Sequence, residues 1–135
     1  MRCFITGSRT PNDKLDRVKF EQELDSILEK YIVDGDAVSV LNGGQVGIDR
    51  SAQAYANKKR YDFFMYKPWH LIWKELPFSN SLFFYRNKQL IDNCDLVIIL
   101  RERGEEDNYL DDIVRRCKNK KNPTPYCEVY YDAAG

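Results

Sequence analysis

The chain has 135 residues, 43% of them hydrophobic and 13% aromatic, which is the size and composition of one folded domain and excludes intrinsic disorder. Its 21 basic and 21 acidic residues cancel, so a general polyanion binder, which needs a surplus of Lys and Arg, is not expected and nucleic acid is a disfavoured partner. A small local basic pocket is compatible with this balance.

Cys3, Cys94, Cys117 and Cys127 are scattered without a CxxC pair, and His70 is the single histidine. A tetrahedral metal site therefore has too few ligands, and no metal is expected. Cys3 and Cys94 lie in or beside apolar runs, as reduced core cysteines do. No apolar stretch approaches the roughly 20 residues that span a bilayer, and no secretory signal is visible at the start. The expectation is a cytoplasmic protein with no membrane partner.

Strand-like and helix-like segments alternate along the chain. Met1–Thr6 is a short apolar run stopped by Gly7, as a buried parallel strand would be. A helix is predicted from about Asn12 to Tyr31, with Asn12 or Asp13 as N-cap and Leu15, Val18, Leu24, Ile27, Leu28 and Tyr31 on its core stripe. Ala37–Leu41 is a second strand, and Gly47 to about Lys59 a second helix with Ile48, Ala52, Tyr55 and Ala56 inward. Tyr61–Tyr66 is a third strand, in which core filling accounts for Phe64. Trp69–Ser79 has no period and is predicted irregular. A helix follows from about Asn80 to Asn93, and then Asp95–Leu100, the most apolar strand, placed centrally. Arg101–Asp107 reads as a polar loop, Asn108–Lys118 as an amphipathic helix, and Pro125–Tyr131 as an edge strand opened by a proline. No linker, repeat or low-complexity tract interrupts this order. The pattern predicts an α/β fold, a Rossmann-like three-layer sandwich with a mainly parallel five-stranded sheet in the order 3-2-1-4-5. Ligands of such sheets sit beyond the carboxyl ends of the strands.

Two loops at those ends carry chemistry. Gly7-Ser8-Arg9-Thr10 combines a tight turn with hydroxyl donors and a guanidinium suited to phosphate. Asn42-Gly43-Gly44-Gln45-Val46-Gly47-Ile48-Asp49-Arg50 sets glycines before a helix N-terminus, so that amide hydrogens can converge on an anion. It is neither a P-loop nor a dinucleotide fingerprint, and no cofactor is expected. Asp49 suits the helix dipole and could also reach a ribose hydroxyl. Rings at Trp69, Trp73 and Phe78 could stack on a base or bury a dimer contact, and His70 without a visible partner reads as structural.

The segment LNGGQVGIDRSAQAYA resembles the glycine-rich signature of the SLOG superfamily, which includes the Lonely Guy phosphoribohydrolases, the DNA-processing protein Smf, and proteins described as molybdenum carriers. FITGSR at the start and YRNKQLIDNCDLVIIL agree with it in order and spacing over most of the chain. The resemblance is closest to the molybdenum-carrier group and to small bacterial and phage proteins. It implies phosphate or ribose contacts from Gly7, Ser8, Arg9, Gly43, Gly44, Gln45, Gly47 and Asp49, and from Arg86 and Asn87. Nucleotide-cleaving members carry a second motif of the kind GGxGTxxE after the fourth strand. Here that place reads Arg101-Glu102-Arg103-Gly104-Glu105-Glu106-Asp107-Asn108, with acids where the family binds phosphate.

The resemblance implies a binding protein that senses, carries or sequesters a nucleotide or nucleotide-derived ligand, a signalling nucleotide among the candidates. The alternative is a hydrolase of the nucleotide N-glycosidic bond, with Arg86 and Asp112 as catalytic residues and Asp49 or Asp111 as other carboxylates to consider. A DNA-associated module like Smf is a third reading. Members of the superfamily commonly pair, so the resemblance implies a homodimer, and the aromatic-rich segment Leu82–Tyr85 is a candidate seam.

Overall fold

A computed structural model of the chain describes residues 1–10, 14–33, 35–67 and 80–132. Among them the elements run β1 (Arg2–Gly7), α1 (Arg17–Tyr31), β2 (Ser39–Asn42), α2 (Ile48–Lys59), β3 (Asp62–Met65), α3 (Asn80–Asp92), β4 (Leu96–Glu102), α4 (Asn108–Asn119) and β5 (Tyr126–Tyr131). The strands form one five-stranded sheet in the order β3-β2-β1-β4-β5. All its pairings are parallel, with Phe4 opposite Leu41 and Ile5 opposite Ile98 in register. The architecture is therefore the Rossmann-like α/β sandwich that the alternation predicts.

Alternate side chains of each strand feed opposite faces, which is why β1 and β4 read as continuous apolar runs. Cys3, Ile5, Val40, Ile98 and Leu100 pack against Phe20, Leu24 and Leu28 of α1 and Ile48, Ala52, Tyr55 and Ala56 of α2. On the other face, Phe4, Leu41, Val97 and Ile99 meet Leu90 and Ile91 of α3 and Leu110, Ile113 and Cys117 of α4. All four cysteines are free thiols, and burial pushes those of Cys3 and Cys94 up to about 12.

Several boundaries and faces differ from expectation. Among the described residues α1 begins at Arg17, capped by Asp16, whose side chain accepts from the Lys19 amide at 3.1 Å. Asn12 and Asp13 lie outside the described residues. The buried stripe of α1 is Phe20, Leu24, Ile27 and Leu28, while Val18 is 66% exposed and Tyr31 is exposed at the far end. β4 continues through Arg101 and Glu102, which pair with Tyr130 and Tyr131, so part of the expected polar loop is strand. β3 is short and pairs only with β2, and Phe64 is 47% exposed rather than core. β5 forms the other edge, as its opening proline suggests. The irregular reading of Trp69–Ser79, with Trp69, His70, Trp73 and Phe78, falls outside the described residues. No helix of the described residues is long and apolar enough to cross a membrane, and they contain no cluster of His, Cys, Asp or Glu able to hold a metal.

Candidate functional site

At the carboxyl edge of the sheet an open cleft of about 360 Å³ is lined by Arg9, Gly43, Gly44, Gln45, Val46, Arg50, Phe83 and Arg86. Three elements of the chain converge there: the loop after β1, the turn from β2 into α2, and α3.

The loop after β1 serves first as a fastening. A Cβ on Gly7 would strike the carbonyl of Leu100 and lie 2.8 Å from the Ile48 side chain, so only glycine lets β1, β4 and α2 meet. Ser8 is fully buried. Its amide donates to the Leu100 carbonyl at 3.0 Å, and its own carbonyl accepts from the Ile48 amide at 3.1 Å. Its hydroxyl oxygen accepts from the Glu102 amide at 2.8 Å. Gly7 and Ser8 thus lie beneath the site and join its walls, whereas exposed Arg9 reaches the cleft. Gly47 has φ +99°, and a Cβ there would sit 2.6 Å from the Arg9 Cα. The N-terminus of α2 therefore presses directly on the loop that carries Arg9.

The turn after β2 does gather amide hydrogens around an anion, but the anion belongs to the chain. Buried Asn42 donates to the carbonyls of Ile5 (3.0 Å) and Asp49 (2.9 Å), and its side-chain oxygen accepts from the Gly44 amide at 2.9 Å. Asp49, on the first turn of α2, accepts from the Thr6 hydroxyl at 2.6 Å and from the Gln45 amide at 3.2 Å. Burial raises the Asp49 pKa, opposed by the Thr6 hydroxyl, the Gln45 amide, the Arg86 charge and the Gly43 amide. The cradle expected to grip an incoming phosphate is thus occupied from within. Gly43, Gly44 and Gln45 line the cleft, while Asp49 shapes their turn from beneath.

Arg86 is the unusual residue of the cleft. It is 2% exposed, and its Nη2 donates to the Tyr109 hydroxyl. The guanidinium carbon lies 5.3 Å from the ring centres of both Phe83 and Tyr109. Its Nε has no hydrogen-bond partner among the described residues. None of the ion pairs among those residues includes Arg86. Burial lowers its pKa, countered by Tyr109 and by the charge of Asp49. A cation withdrawn from water without a paired carboxylate is costly, and an anion delivered to the cleft would relieve that cost.

Asn87 and Asp112, expected at the site, do not line this cleft. One residue along a helix turns the side chain by about 100°, so Asn87 faces α4, where it donates to Asp112 at 3.4 Å. Asp112 is 2% exposed and accepts from Arg115 at 2.7 Å and Arg116 at 2.8 Å on its own helix. Asp111 accepts from Arg101 at 2.5 Å.

On the far side of the loop after β1, the end of β4 and the residues beyond it form an acidic shoulder. The Glu102 carboxylate accepts from the Thr10 hydroxyl at 3.0 Å, and the Thr10 hydroxyl lies 2.6 Å from that of Tyr131. A hydrogen bond with Glu102 raises the Glu105 pKa. Asp107 caps α4 through the amides of Tyr109 and Leu110.

Arg50, Val46, Phe83 and Tyr109 were not anticipated. Arg50 adjoins Asp49 in the first turn of α2, so the helix start offered a local signal for it. Tyr109 and Arg86 are 23 residues apart and meet only because α3 and α4 pack on the same face of the sheet. No protein-family model matches the chain, and a search of curated proteins finds no match.

Proposed function

We propose that this protein binds a nucleotide or nucleotide-derived ligand by its phosphate, at the cleft between the β2–α2 turn and α3. The observation that carries this reading is Arg86, buried and in no ion pair among the described residues, at a cleft that also presents Arg9 and Arg50. Guanidinium groups suit phosphate oxygens, and the N-terminus of α2 adds a favourable dipole. Phe83 and Val46 supply apolar surface for a base, and the volume is at the lower end of that of small-molecule sites. The SLOG resemblance supports the same reading, because the arginine-bearing helix that leads into the fourth strand is the one that delivers Arg86.

The ligand is held by arginine side chains above a turn that Asp49 has already closed, rather than by free amides of the glycine turn. Binding is favoured over N-glycosidic cleavage, because Asp112 is engaged by Arg115 and Arg116 and Asp49 by Thr6 and Gln45. A homodimer through the start of α3 belongs to the same family-based reading; Tyr85 is 52% exposed there, and sedimentation analysis would test it.

Calorimetry against nucleoside monophosphates, cyclic nucleotides and ADP-ribose tests the proposal. Binding is expected for at least one class, weakened by about tenfold or more in Arg86→Ala. Silence across the panel, or equal affinity in the variant, would overturn it.

A further inference from the structure

The arginine cleft and the acidic shoulder stand on opposite sides of one loop. Ser8 touches both: its carbonyl accepts from Ile48 at the start of α2, and its hydroxyl accepts from Glu102 at the end of β4. Arg9 is the next residue, and Thr10, which donates to Glu102 at 3.0 Å, the one after. Since β1 lies between β2 and β4, the two flanks are about 10 Å apart, two strand spacings. A nucleotide is long enough to lie across that ridge.

The cations beside the shoulder have carboxylate partners of their own. Arg101 donates to Asp111 at 2.5 Å and to the Asp107 carbonyl at 2.9 Å, and lies 3.8 Å from Glu128. Arg103 pairs with Asp132 at 3.1 Å. Glu102 accepts from the Thr10 hydroxyl and hydrogen-bonds exposed Glu105, so the two carboxyl groups hold a proton between them more readily than either alone and still carry net negative charge as a pair.

We infer that Glu102 and Glu105 make the site selective for ligands with phosphate at one end only. The phosphate rests over Arg9, Arg50 and Arg86, and the end that crosses the ridge is uncharged or bears hydroxyl or amine donors that the carboxylates accept. A second phosphate at that end meets like charge and is refused, a case of specificity gained by repulsion. This inference rests on the reading of the arginine cleft as a phosphate site.

The probes are the four common nucleoside 5′-monophosphates and the corresponding 3′,5′-bisphosphates, titrated at low ionic strength into wild type, Glu102→Gln, Glu105→Gln and the double variant. Glutamine preserves the acceptor that Thr10 uses, and Glu105→Gln leaves the loop after β1 untouched should the other variant fold poorly. In wild type the 5′-monophosphate that binds should do so about tenfold or more tightly than its bisphosphate, and that ratio should fall toward one in the double variant, with each single variant between. A wild type that binds bisphosphates as well as or better than monophosphates overturns the inference, as does a ratio unchanged in all three variants. If a monophosphate binds and depends on Arg86 while the ratio does not move, selectivity alone has failed. If no probe binds wild type, the inference fails, and the phosphate reading fails with it once cyclic nucleotides and ADP-ribose are silent as well.

Discussion

Arg86 occupies the space that a side chain on Gly43 would need: a Cβ there would lie 2.5 Å from Nη1 and 2.6 Å from Cζ of the guanidinium. The glycine in the turn is therefore a requirement of the arginine on α3. Gly43→Ala should destabilise the protein by about 1–3 kcal/mol through overpacking, measured by urea unfolding, and should weaken the proposed nucleotide binding as Arg86→Ala is expected to. In the Gly43→Ala/Arg86→Ala double variant the stability cost of the alanine at 43 should largely vanish. Strict additivity would show that the two residues do not meet in this way.

Asp49 makes stability depend on pH with a definite sign. Burial holds its folded pKa above the ordinary 3.8, so the folded state takes up the proton more readily than the unfolded chain. The stabilisation from protonation is fully present below that ordinary value and is lost as pH rises through the raised one. Asp49→Asn cannot titrate. The difference in unfolding free energy between wild type and Asp49→Asn should therefore shift in favour of wild type as pH falls from about 7 to about 4, in urea titrations at each pH. A flat difference, or one that moves the other way, contradicts the buried placement of the carboxyl group.

Gly47 is fixed by its backbone as well as by space. It combines φ +99° with a Cβ position 2.6 Å from the Ser8 carbonyl oxygen and the Arg9 Cα. Gly47→Ala should cost about 1–3 kcal/mol or more and lower the melting temperature, because main chain cannot yield as a flexible side chain does. An unchanged melting temperature would refute the close approach of α2 to the loop after β1.

Asp112 separates stability from binding. Asp112→Ala leaves Asn87 and Arg116 without their acceptor in the α3–α4 seam and should cost about 1–3 kcal/mol by denaturant unfolding. Its nucleotide affinity in calorimetry should match wild type, since the side chain does not line the cleft. A selective loss of binding or turnover with stability intact would restore Asp112 as a functional carboxylate.

The fold was legible because its signals are short-range and repeated. Apolar runs such as LVIIL can be buried only between two layers, and the helices between strands allow the parallel order 3-2-1-4-5. Exposure was less legible. Val18 satisfies the helical period yet is exposed, because α1 buries a stripe centred on Phe20, Leu24 and Leu28. Phe64 alternates like a core residue, but it lies on an edge strand that pairs on one side alone among the described residues, and it is exposed.

At the site, the glycines at 43 and 47 could be read as positions of unusual geometry, but composition does not reveal which anion the amides face. An internal acceptor five residues after Gly44 fits the same pattern as an external phosphate. Asn87 beside Arg86 invited a shared role, yet the helical turn sends the two toward different neighbours. Tyr109 left no local trace, since its meeting with Arg86 depends on how two helices lie together.

Because the carboxylate within the glycine turn is tethered to the same backbone, its effective concentration there exceeds that of a diffusing phosphate. The turn therefore has its bound shape before any ligand arrives, and a visitor need not supply the ordering entropy of that loop. Amide exchange at Gly44 and Gln45 should be slow in the empty protein and nearly insensitive to occupancy.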